Sequence, residues 1–247
     1  MKQKIGQKMH QTVLLVLLAL VSITAATYAW FSLSANTRVR SMNLEITTGT
    51  SLRFDTSAHN IFDDYIKTMS FDKIYEQLQA SYGYDAQKAA LEPVTTANGT
   101  TFQTEKGADV APDTGQFYEF TLHFMATEDM VVHLTSANTQ GKEDGTLVES
   151  EAAAAAAIRI SFTAENNTAI YQPQGASNGT FTLDTAAQMQ YNNDNALFSI
   201  KADTDMPVVV RIWIEGTDKA CTDELRGSDY TIRLRFAGTD ENGNVFE

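Results

Sequence analysis

Side chains able to do chemistry are sparse and scattered in this sequence. It holds four histidines and a single cysteine, Cys221. His123 and His133 fall at outward positions of two successive strand-like runs. That placement reads as two imidazoles facing each other across a sheet, where Glu119 or Glu128 could complete a metal site. Cys221 lies in Thr217-Asp-Lys-Ala-Cys-Thr-Asp-Glu, between two strong strand runs. A thiol nucleophile needs a neighbouring base to lower its pKa, and no histidine follows His133. The cysteine therefore reads as structural or incidental. Two acidic turns offer better ligands: Asp203-Thr-Asp205, and Asp240 with Asn242 and Asn244, place oxygen atoms at alternate positions, as calcium takes them. Neither completes a calcium loop, and Asp, Asn and Gly are also ordinary turn residues. HExxH, GxSxG and glycine-rich phosphate loops are all missing. The expectation is a protein that is not an enzyme and needs no cofactor, with calcium the one ion its turns would accept.

The elements that would position these residues are mostly strands. Met42, Leu44 and Ile46 alternate with polar residues, Gly49 follows, and Leu52 and Phe54 resume the alternation. This reads as two short strands joined by a turn. Tyr118, Phe120, Leu122 and Phe124 share one face of a longer run, as do Met130, Val132 and Leu134. Ile158, Ile160 and Phe162 point one way, with Arg159, Ser161 and Thr163 outward. Phe198 and Ile200 give a short strand, and Val208, Val210, Ile212 and Ile214 a long one. Tyr230, Ile232, Leu234 and Phe236 close the series, with Thr231, Arg233 and Arg235 facing water. Eight to ten strands, each with one buried face, imply an all-β, antiparallel β-sandwich or jelly roll. Residues 60–115 interrupt the pattern as a helical and loop insertion. Ser70 caps a helix whose Phe71, Ile74, Tyr75, Leu78 and Tyr82 share a face and whose stop is Gly83. From Pro93 to Gly115 the polar, Thr- and Gly-rich composition predicts a surface loop. The alanine run Ala152–Ala157 is long enough for one helical turn or a tight packing surface.

The first thirty residues have a different character. Lys2, Lys4 and Lys8 precede a stretch from Gln11 to Thr37 with no charged side chain, and small residues (Ala25, Ala26, Ala29) end its apolar part. That is the layout of a secretory signal, and Thr12–Phe31 also meets the roughly 20 residues a membrane helix needs. Cleaved signal and retained anchor place the N-terminus on the same cytoplasmic side. Residues 1–30 are thus expected to be a signal peptide or anchor helix, and 31–247 an extracellular β domain. Beyond residue 30 stand 31 acidic against 15 basic side chains, a formal charge of −16. Such a surface repels nucleic acid, which is excluded as a partner. One cysteine permits no intramolecular disulfide, a habit of exported bacterial proteins of Gram-positive type.

The junction Thr27-Tyr-Ala-Trp-Phe31-Ser, after the apolar run and before two strands, resembles the export segments of TasA/camelysin-type proteins of Gram-positive bacteria. The resemblance covers about residues 20–55. It implies cutting by a dedicated signal peptidase near Ala26, Ala29, Trp30 and Phe31, a jelly-roll mature protein, and assembly into extracellular filaments of the biofilm matrix. Some members carry a metalloprotease label, but no matching metal motif stands here.

A cell-surface or matrix structural subunit that self-associates is therefore the expectation, with Phe31–Arg40 as a strand donated to a neighbour and Phe31, Leu33 and Ala35 as its apolar edge. The alternative is a membrane-tethered adhesion or carbohydrate-binding module, with Trp213 and Phe117 lining its surface; those aromatics would equally pack beneath the 60–92 segment. A lesser alternative is a pilin-like subunit cut after Gly6, although Gln11 stands where that class has an acid.

Overall fold

Burying one face of a pleated sheet requires an apolar side chain at every second position, and this alternation carries most of the chain into strands. The computed structural model describes residues 12, 14–16, 38–46, 51–86, 88–135, 145–150, 153–173, 188–190, 196–222, 225, 228–244 and 246. The cleavage residues Ala26, Ala29, Trp30 and Phe31, and the donor residues Leu33 and Ala35, lie outside them. Among the described residues no helix is long and apolar enough to cross a membrane.

The strands are β1 (Arg38–Ile46), β2 (Leu52–Asp55), β3 (Thr68–Ser70), β4 (Pro93–Val94), β5 (Phe102–Gln103), β6 (Asp109–Val110), β7 (Tyr118–Ala126), β8 (Met130–Leu134), β9 (Leu147–Ser150), β10 (Ile158–Ala164), β11 (Asn167–Gln172), β12 (Gln188–Gln190), β13 (Ala196–Ile200), β14 (Met206–Glu215) and β15 (Asp229–Thr239). They form a first sheet in the order β13-β8-β15-β1-β3, with β9 also on β15, and a second in the order β12-β11-β10-β14-β7-β2, with β4 also on β14. The two sheets pack face to face. Phe236 of the first meets Phe54, Phe124 and Phe162 of the second at ring-centroid distances of 5.9, 5.3 and 6.1 Å. The result is a mostly-β, sandwich-like fold, as the alternation implies.

Three local expectations need correction. β1 and β2 are strands, but they lie in opposite sheets and do not pair with each other. Pairing is not antiparallel throughout: β1 runs parallel to β15 over eight register pairs, Arg38↔Asp229 to Ile46↔Phe236. Alternation reports which face is buried and favours antiparallel pairing, but it does not dictate the direction of any one pair. Finally, the Pro93–Gly115 stretch does more than loop over the surface. β4 adds to the end of β14, β5 and β6 pair, and Val94, Phe102, Val110 and Phe117 join Ile170 and Trp213 in a second small core.

That second core covers part of the outer face of the second sheet. Arg159 and Ser161, read from sequence as outward, are fully buried there, and on the first sheet Arg235, read as facing water, is only 6% exposed. Arg159 is tolerated because its guanidinium meets Asp218 at 2.5 Å and donates to the carbonyls of Ala156 and Ile158. Ser161 donates to the Gly99 carbonyl at 2.7 Å. Gly99 has φ +73°, and a Cβ there would stand 3.0 Å from Ile170, so glycine lets the covering segment approach the sheet.

Helix α1 (Phe71–Tyr82) follows its sequence signals closely. Phe71, Ile74 and Leu78 are buried, while Tyr75 and Tyr82 pack half-buried against the core. Gly83 closes it in the left-handed region, its N–H bonded to the Gln79 carbonyl. Ser70 is the N-cap residue without a capping side-chain bond; its hydroxyl turns to Asp72. The alanine run supplies one 3-10 turn, Ala153–Ala157.

Candidate functional site

The first sheet leaves one stretch of strand only half paired. β3 pairs with just Asn43, Leu44 and Glu45 of β1. Among the described residues, Arg38–Met42 therefore has a strand partner on the β15 side alone. Its inward side chains hold it firmly, since Val39, Met42, Leu44 and Ile46 are each at most 5% exposed. The start of α1 stands across from this stretch and leaves a groove of about 530 Å³, walled by Arg38, Arg40, Ser41, Phe71, Asp72 and Tyr75.

The groove's walls offer hydrogen-bonding and charged groups. Tyr75 donates its hydroxyl to the Val39 carbonyl at 3.2 Å, a contact made on the open side of β1. Burial, with Asp72 and Asp85 adding, pushes this phenol up to about 12, so it remains a donor at neutral pH. Arg40 pairs with Asp229 at 3.5 Å where both are well exposed, and Asp72 adds a second acid to the rim. Among the described residues, no histidine or cysteine lines the groove. A half-paired sheet edge beside a groove can hydrogen-bond an extended chain, and here Phe71 and Tyr75 are the aromatic side chains among otherwise largely polar walls.

A second polar concentration gathers where β2 ends. Asp55, 6% exposed, accepts from the Thr56 N–H at 2.7 Å and Lys73 Nζ at 3.2 Å, with His59 Nε2 at 3.3 Å. Burial raises its pKa, but the Thr56 N–H, Lys73 and His59 outweigh that and hold the carboxyl below its ordinary 3.8. Tyr65 donates to Asp205 Oδ1 at 2.7 Å, and His123 Nδ1 meets Asp205 Oδ2 at 2.9 Å. Burial, then Asp205, pushes the Tyr65 phenol up to about 12. These contacts tie β2, the loop after it, α1, β7 and the turn before β14 together. Their partners are used up on each other, and the cluster reads as a rivet.

The candidate ligands meet differently from expectation. His123 and His133 do not face each other, because β7 and β8 lie in opposite sheets. His133 instead meets Thr239 at 2.9 Å. A three-residue connection between alternating runs looks like a hairpin in sequence, yet here it passes from one sheet to the other. Glu119 is held by Arg211 at 2.6 Å and Tyr82 at 2.7 Å. Asp203 and Asp205 part company: Asp203 is exposed with φ +53°, whereas Asp205 turns to Tyr65 and His123. Asp240 spends its oxygens on its own turn, accepting from the N–H groups of Asn242 and Asn244 and from the Asn244 side chain, each at 2.8 Å. Among the described residues no three His, Cys, Asp or Glu side chains converge as metal ligands.

Burial, with Glu215 and Asp218 adding, pushes the Cys221 thiol up to about 12, so it is no thiolate nucleophile near neutral pH. Trp213 and Phe117 are 0% and 1% exposed, which removes them as a binding surface. They pack with Phe102, at 5.1 Å from Trp213 and 4.2 Å from Phe117, under 93–117 rather than under the 60–92 segment. Sequence reasoning missed Asp55, His59, Tyr65 and Lys73 because they meet through three separate elements and show no common period. It missed the groove because strand length says nothing about how much of each edge is paired. No family model, curated protein or solved structure matches the chain.

Proposed function

We propose that this chain is an exported cell-surface or biofilm-matrix structural protein, a filament subunit whose jelly-roll body accepts a strand from a neighbouring copy. The observation that carries the reading is the half-paired Arg38–Met42 edge beside its groove. The basic start, the apolar run and the small residues before Phe31 support export through the membrane, with cleavage by a signal peptidase between Ala26 and Phe31. The donor segment is shorter than the sequence implied. Arg38–Arg40 already belong to β1 beside β15 of the same chain, which leaves 31–37, with Phe31, Leu33 and Ala35, to be donated. Donation from copy to copy is head-to-tail and does not close on itself, so it builds open fibres.

Mass spectrometry of the mature N-terminus tests the processing step: a start between Ala26 and Phe31 is expected, and a start at Met1 or Gln7 overturns it. Deletion of residues 31–36 from the mature protein is expected to abolish filaments in electron micrographs while the circular dichroism of the body is unchanged. Filaments that form equally well without the segment overturn strand addition. A chain that stays monomeric with the segment present favours a membrane-tethered binding module instead.

A further inference from the structure

The first and last strands of the described sandwich are direct neighbours, and they run in the same direction. Arg38 of β1 stands beside Asp229 at the start of β15, and Ile46 stands beside Phe236. The polypeptide before Arg38 therefore leaves from one end of this pair, while the polypeptide after Thr239 leaves from the other. At about 3.3 Å per residue, the paired length is roughly 30 Å.

This geometry decides how the pair breaks under tension. If β1 is pulled from its Arg38 end while the body is held at the far end of β15, the load runs along the strands. Every inter-strand hydrogen bond is then strained together, and separation requires the whole ladder to slide. If the same strand is pulled away from a point at its own end, the bonds open one after another and each alone bears the load. The ladder is also laced on both faces. Val39, Met42, Leu44 and Ile46 are seated in the core. On the outer face Arg40 meets Asp229 at 3.5 Å, Ser41 meets Thr231 at 3.2 Å, and Arg235 meets Asn43 at 2.8 Å and Glu45 at 3.4 Å. The exposed Arg40 and Ser41 contacts contribute little by themselves, whereas the two made by Arg235 start from a nearly buried guanidinium, and all four oppose the same sliding movement.

We infer that β1 and β15 form a load-bearing clamp, which lets the folded body carry tension that enters through its N-terminal segment. The inference rests on the reading that the chain works while held through that segment, as a filament subunit or a tethered module would. It asks for no partner and no ligand. The clamp exists in the monomer, so it can be tested whether or not filaments form.

The test is single-molecule force spectroscopy on the full chain in detergent, in a Cys221→Ala background, with two pairs of attachment points. Thr37→Cys with Asn242→Cys pulls along the strands. Thr37→Cys with Glu149→Cys pulls β1 away from β9, which flanks β15 near the Arg38 end. Forced unfolding is governed by the unfolding rate, so the readout is that rate at matched load. The lengthwise geometry is expected to unfold at least about tenfold more slowly, one decade of barrier crossing. Equal rates, or faster lengthwise unfolding, overturn the clamp. Asn43→Pro, which removes a backbone donor from the middle of β1, is expected to erase most of the difference. Should that variant fail to fold, the comparison of the two geometries in the otherwise unchanged chain still decides the matter. Loss of filaments on deleting 31–36 would leave this result untouched, so the two readings fail separately.

Discussion

The outer faces of the two sheets began as the same kind of sequence and ended in different environments. On the first sheet, Ser41, Asn43 and Thr231 stay exposed, and Arg40 and Asp229 meet in water. On the second, Arg159, Ser161 and Trp213 occupy equivalent outward positions but are fully buried beneath 93–117 and its neighbours. Polar side chains on the covered face must find partners inside the protein in place of water. Arg159 has Asp218, Trp213 donates its indole N–H to Glu215 at 3.1 Å, and Thr217 occupies the other Glu215 oxygen at 2.6 Å. On the open face that obligation falls mainly on Arg235, which is 6% exposed and held by Asn43 and Glu45, while the contacts of Arg40 and Ser41 lie in water. A charged side chain on a strand thus has no fixed energetic meaning until one knows what lies over it.

Breaking the covered face should give the largest effects. Asp218→Ala leaves the Arg159 guanidinium buried without its carboxylate and is expected to destabilise by about 3–5 kcal/mol in denaturant unfolding. A change under 1 kcal/mol would mean that Arg159 reaches water. Trp213→Ala empties the small second core and is expected to cost about 3–5 kcal/mol. It should also open 95–115 to limited proteolysis before the rest of the chain is cut, and uniform cleavage would show that this cover is not a separate cooperative unit.

The rim at Asp55 lies between the extremes. Its carboxyl is held below 3.8 in the fold, so the associated stability is complete above the ordinary unfolded value and is lost as pH falls through the folded one. Lys73→Met removes one of the groups that outweigh burial. It is expected to make unfolding set in at a higher pH on acidification, and identical acid transitions for the two proteins would take Lys73 out of the account. The smallest effect belongs to the open face. Arg40→Ala removes an exposed ion pair, whose members keep 70% and 41% of their side-chain surface, and should change stability by less than about 0.5 kcal/mol. A loss comparable to that of Asp218→Ala would erase the distinction between the faces.

The helix at 71–82 was legible because a single local period, a cap position and a glycine stop all agree there. β7, β8, β10, β13, β14 and β15 were legible for the same reason, each burying the residues its alternation names. β4, β5 and β6 were not, since two-residue strands have no period to detect. Thr-, Gly- and Asp-rich composition marked 93–115 as polar, but its buried apolar residues Val94, Phe102 and Val110, which pack with Phe117 just beyond it, are too widely spaced to announce a core. The rivet at Asp55 joins residues up to 150 positions apart in sequence, from Asp55 to Asp205 through His59, Tyr65 and His123.

What the sequence determined by itself is the set of local, periodic decisions: which residues alternate into strands, where one helix starts and stops, and where charge is excluded from the first thirty-seven residues but for a few at the beginning. These need only backbone geometry and the cost of leaving apolar surface in water. Tertiary structure alone decided which strands became neighbours, that β1 and β15 run parallel, that one outer face was covered and the other left largely open, and that, among the described residues, Arg38–Met42 has a strand partner on the β15 side alone. Each of those depends on how distant segments compete to cover the same surface, and that competition leaves no period along the chain for a sequence to display.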